Sequence, residues 1–123
     1  MKVLIVDYED KLAFLWGSVE QLLRRKGFEI LDVSWTNLER YGFGHGPDVE
    51  RVVDIAKGVD VVILHFGDIP AGDANKIIPQ IKAVGAKVVV NTVSRFNFPE
   101  ADEIIPTMGL VRNIANLLDS LQE

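Results

Sequence analysis

The chain has 123 residues, 48% of them hydrophobic, and a formal net charge of −5. That length suits one domain with a real core, and the acidic balance argues against nucleic acid as a partner, because phosphate binding wants a basic face. The absence of cysteine excludes a disulfide framework, thiol catalysis and cysteine-ligated zinc, and it fits a reducing, cytoplasmic setting.

The first element is the strand "VLIV", residues 3–6, apolar on both faces. Its run is too short for a leader peptide or a membrane span. Leu12, Leu15, Trp16, Val19, Leu22 and Leu23 then recur at three- and four-residue steps, which predicts a helix stopped by Gly27. "LLRRK", residues 22–26, reads as its solvated end, with cations near the C-terminus. "FEILDV" (28–33) is a more mixed strand, placed nearer an edge. "WTNLERYGFGHG" (35–46) is a long connection whose Trp35, Tyr41 and Phe43 either pack on the sheet edge or face a partner.

Val49, Val52, Val53 and Ala56 make a second helical stripe, opened by Pro47 and Asp48 and closed by Gly58. "VVIL" (61–64) is a third strand. Ile77, Ile78, Ile81 and Val84 form a third stripe, in which Pro79 must kink the helix or mark its true start. "KVVV" (87–90) is a fourth strand and "EII" (103–105) a short fifth. Between them "SRFNFPEAD" (94–102) leaves room for about one or two helical turns. The cleanest stripe is Leu110, Val111, Ile114, Leu117, Leu118 and Leu121, with Thr107 as its N-cap.

Strands alternating with helices predict a three-layer α/β/α sandwich, with a five-stranded parallel sheet of order 2-1-3-4-5. The helix between strands 4 and 5 is short or missing. In such sheets ligands bind outside the carboxyl ends of the strands. Strand 1 ends in Asp7, Tyr8, Glu9 and Asp10; strand 3 in His65, Phe66, Gly67 and Asp68; strand 4 in Asn91, Thr92 and Ser94. Strands 1 and 3 are neighbours in this order, so Asp7 and His65 are expected close together. The candidate pocket is therefore Asp7, Tyr8, Glu9, His65, Asp68 and Thr92.

Three of these segments resemble two-component receiver domains, a flavodoxin-like family. "KVLIVDYED" (2–10) is similar to their opening strand and acidic pair. "DVVILHFGDIPAGD" (60–73) is similar to their third strand and its loop, and "KVVVNTV" (87–93) to their fourth strand, with Thr92 at the hydroxyl position. The resemblance implies a strand-end site where acids hold magnesium and an aspartate accepts a phosphoryl group. The chain departs from that pattern at three of five positions. Tyr8 stands at one of the two acids, His65 at the phosphoacceptor, and Ile105 at the lysine. Asp68, three residues on, is the candidate substitute acceptor, and Asp7 with Asp68 the candidate magnesium pair.

Each residue also has a plainer role. Asp7 and Asp10 suit capping of the first helix, His65 suits a hydrogen-bonded half-buried position, and Asp68 and Asp73 suit turns around Gly67 and Gly72. The leading expectation is a stand-alone atypical receiver-like module with no output domain. It is not an enzyme, and it works through a protein partner or a homodimer, with no nucleic acid and no membrane. One alternative is a true receiver phosphorylated at Asp68 with magnesium. Another is a small-molecule-binding flavodoxin-like protein or enzyme. A phosphate-bearing ligand there meets the acids at 7, 9 and 10, which repel it unless a cation intervenes.

Overall fold

The computed structural model describes residues 1–7, 13–33, 49–65, 71–92, 101–106 and 110–122. Its elements are β1 (Lys2–Asp7), α1 (Ala13–Arg25), β2 (Glu29–Val33), α2 (Val49–Ala56), β3 (Val61–His65), α3 (Ala71–Ala83), β4 (Lys87–Thr92), β5 (Glu103–Pro106) and α4 (Leu110–Gln122). The strands form one five-stranded sheet of order β2-β1-β3-β4-β5, and every neighbouring pair is parallel.

Strand periodicity sorts the core into two layers. Even-numbered Leu4, Val6, Val62, Leu64, Val88 and Val90 pack with Val52 and Ala56 of α2 and Ile77, Ile78 and Ile81 of α3. Odd-numbered Val3, Ile5, Val61, Ile63 and Val89 pack with Val19 and Leu23 of α1 and Ile114 and Leu118 of α4. Successive side chains of a strand point to opposite faces. Runs apolar at every position therefore fill both layers, and the α/β/α sandwich follows. α1 lies beside α4 on one face, and α2 beside α3 on the other.

Helix ends follow the expected chemistry. Gly27 has φ +93°, its N–H donates to the Arg24 carbonyl, and the Phe28 N–H donates to the Leu23 carbonyl. This pair of bonds, closed by a left-handed glycine, is a Schellman ending. Gly85, also left-handed at φ +97°, follows α3, with its N–H on the Lys82 carbonyl at 3.0 Å.

Two expectations change. Pro79 does not start a helix, because α3 begins at Ala71 and runs through it. Pro79 is exposed, so water can serve the carbonyl that its missing N–H leaves without a helical donor. For the same reason Gly72 and Asp73 belong to α3 and form no turn. Strand boundaries move by one or two residues, as when β2 opens at Glu29 because Phe28 is engaged in the helix ending. The 94–102 connection falls between Thr92 and Glu103. All but its last two residues lie outside the described residues, as do Thr107 and the 35–46 segment.

At the amino edge of the sheet two aspartates set the register. The Asp60 N–H donates to the Lys2 carbonyl at 2.9 Å, while its carboxylate accepts the Lys2 N–H at 2.8 Å. The Asp102 N–H donates to the Val88 carbonyl at 2.9 Å, and its carboxylate accepts the Val88 N–H at 2.8 Å. Each aspartate directly precedes a strand and ties its entry to the neighbouring strand.

Candidate functional site

The carboxyl edge of the sheet carries one lateral row. Asp7 of β1 is the register partner of His65, His65 of Asn91, and Asn91 of Ile105. Asp7 and His65 thus sit on adjacent strands at the same level. Thr92, one step further along β4, is the register partner of Pro106.

The middle of this row is polar and sealed. His65 is 1% exposed and Asn91 0%, and they are the only buried polar residues among the described ones. His65 Nδ1 lies 2.6 Å from Asn91 Oδ1. Asn91 Nδ2 donates to the Ile105 carbonyl at 3.0 Å. His65 Nε2 is likewise buried. Buried polar groups are tolerated when they are hydrogen-bonded, and this chain spans three strands, β3, β4 and β5. Both residues continue the odd-numbered series of Ile63 and Val89 and so belong to the α1/α4 face. The Ile105 side chain, at the position where the resemblance expects a lysine, is buried in that apolar layer.

The remaining candidates divide by what the described residues include. Tyr8, Glu9, Asp10 and Asp68 lie outside them, as do the side chains of Asp7 and Thr92. Among the described residues no three histidine, aspartate or glutamate side chains come together to hold a metal ion. The described side chains of the row, those of His65, Asn91 and Ile105, leave magnesium, which wants oxygen ligands, no open oxygen. Asn91 Oδ1 is engaged by His65, and Ile105 supplies no side-chain donor atom.

Asn91 is the residue whose part the strand-end reading missed. It was legible as the polar stop of "KVVVN", but a terminal asparagine in an apolar run suits solvent as well as a buried partner. Only the register, which puts it beside His65, reveals what it does.

No helix among the described residues is long and apolar enough to cross a membrane. No protein-family model matches the chain, and no curated protein matches it. Among solved structures the chain is similar to the crystal structure of RSP, a Rex-family repressor, with a TM-score of 0.53 and 16% sequence identity. The match takes in 98% of this chain and 60% of that one. At that identity the likeness shows the shared parallel α/β fold, and the chain corresponds to about 60% of the repressor's length.

Proposed function

We propose that the chain is an atypical receiver-like signalling module that acts through protein–protein contact, as a homodimer or with a protein partner, without aspartyl phosphorylation. The observation that carries this reading is the sealed His65–Asn91–Ile105 row. Phosphoryl transfer to a receiver needs a carboxylate nucleophile, a bound divalent cation and a cationic side chain to balance the new charge. The nucleophile position holds an imidazole committed to Asn91, and the lysine position holds a buried isoleucine. On this reading the module is no enzyme, and its output goes through a surface.

The test is incubation with magnesium and acetyl phosphate or beryllofluoride, followed by intact mass and tryptophan fluorescence. The expected result is no added mass and no spectral change. A phosphoryl adduct that disappears in Asp68→Asn would instead establish a true receiver with a relocated acceptor.

A second reading draws on the structural likeness, in which this fold makes up part of a protein described as a repressor. The chain would then be a regulatory α/β unit, with a small-molecule site outside the carboxyl ends of its strands. A fluorescence or calorimetric response to a nucleotide or other small ligand, together with no phosphoryl uptake, would favour it. The net charge of −5 argues against direct DNA contact by these residues.

A further inference from the structure

We propose that Arg24 guards the β2 edge of the sheet. It occupies the Ile30 carbonyl and so withholds from a second copy of this chain the strand edge on which that copy would pair. The inference goes beyond the functional reading above and does not depend on it.

β2 stands at one end of the order β2-β1-β3-β4-β5. In a parallel ladder, alternate residues of a strand turn both backbone groups to the same neighbour. The Glu29 N–H donates to the Met1 carbonyl at 3.1 Å, so the backbones of Glu29, Leu31 and Val33 face β1. Those of Ile30 and Asp32 turn outward. Arg24 agrees with this, because its Nη2 donates to the Ile30 carbonyl at 3.1 Å from outside the sheet.

Such an outward pattern is self-complementary. In an antiparallel pair about a two-fold axis at Leu31, Ile30 of one copy exchanges both backbone bonds with Asp32 of the other. Leu31 then sits opposite its own counterpart at a non-hydrogen-bonded position, where side chains come closest. Leu31 is 37% exposed, so the same pairing covers an apolar side chain.

The two edge strands are blunted differently. An edge invites another chain unless shortness, proline, lysine or a covering group prevents it. β5 has four residues and ends in Pro106, which has no N–H to give. β2, "EILDV", has neither proline nor lysine, and its cover comes from α1. The chain reverses at Gly27, which sets the last turn of α1 beside β2 and lets Arg24 reach a carbonyl six residues on. A pairing copy must replace that charge-assisted bond, the stronger kind, with a neutral one from its Asp32 N–H. By symmetry both guards must leave together.

The experiment is sedimentation velocity of the full chain over a range of concentrations, with amide hydrogen exchange read at Ile30 and Asp32. In the wild type, exchange at these two amides does not change with concentration. Arg24→Met keeps an apolar stem and loses the donors. It shifts to a species of twice the wild-type mass as concentration rises, and the two amides slow in step. Adding Leu31→Lys to that variant restores the wild-type mass, because like charges then face each other across the axis. Arg24 is exposed, so its truncation leaves the core in place, and Arg24→Ala is read in the same way if Arg24→Met does not fold. Wild-type amides that already slow with concentration overturn the proposal. So do guard variants that keep the wild-type mass, or an association that survives Leu31→Lys.

Discussion

Single side chains at the two edges of the sheet do opposite work. At the amino edge, Asp102 accepts the Val88 N–H and pairs with Lys82 at 3.6 Å. Both members of the ion pair are more than one-third exposed, so the pair adds little and the hydrogen bond to the strand carries the effect. Asp102→Ala should therefore lower unfolding free energy by about 1–2 kcal/mol in a urea titration, as loss of a partly buried acceptor from a charge-assisted bond. Asp102→Asn, which keeps an acceptor oxygen, should cost less than half of that. Equal losses would show that the ion pair dominates. At the carboxyl edge, His65 and Asn91 are sealed and join three strands through their side chains. The aspartates were visible in the sequence as residues placed before strands. Their partners, 58 and 14 positions away, were not, because a local pattern carries no information about which strand lies alongside.

At the scale of the element, periodicity did most of the work and proline the least. The stripes around Val19, Val52, Ile77 and Ile114 each correspond to a helix with those residues buried. The interior Pro79 of α3 was ambiguous from sequence, since a break and an accommodated proline look alike until the first turns are placed. Proline in a helix interior is about 3 kcal/mol less favourable than alanine, so Pro79→Ala should raise stability by ~1–3 kcal/mol, seen as a higher urea midpoint with unchanged m-value. A fall would mean that the backbone geometry the proline imposes on α3 is needed for packing on the sheet. Glycines divide by backbone angle. Gly27 has φ +93°, Gly58 has no positive φ, and neither would bring a new methyl within 4 Å of another atom. Gly27→Ala should cost about 1–2 kcal/mol from left-handed strain, while Gly58→Ala should be neutral or stabilising by up to about 1 kcal/mol. Thermal unfolding of the two variants side by side checks the contrast.

Across the whole molecule the two faces of the sheet are covered unequally. Five strands measure about 19 Å across at ~4.8 Å spacing, and two helices of about 10 Å diameter barely span that width. α1 and α4 nevertheless bury Ile30 and Ile105 of the two edge strands, each at 6% exposure. On the α2/α3 face, their neighbours Leu31 and Ile104 remain 37% and 48% exposed. Stability should follow this map. Leu64→Ala, in the fully buried centre of β3, should cost about 2–5 kcal/mol. Ile104→Ala should stay within about 1 kcal/mol by denaturant unfolding, as for a surface position. A large loss at Ile104 would mean that this edge is covered in solution by a second molecule, and it would depend on protein concentration.

The sequence by itself determined the order and kind of the elements and the parallel α/β class. Apolar runs of strand length, helical stripes and terminating glycines are local signals, and connections between such elements have few allowed topologies. It also placed Asp7 and His65 on neighbouring strand ends, because strand order follows from that topology. What the tertiary structure alone decided is how His65 is held. The imidazole, the Asn91 amide and the Ile105 carbonyl meet through register, and register joins residues 26 and 14 positions apart. A hydrogen bond's direction depends on which acceptor lies at its far end, and no spacing along a chain specifies that.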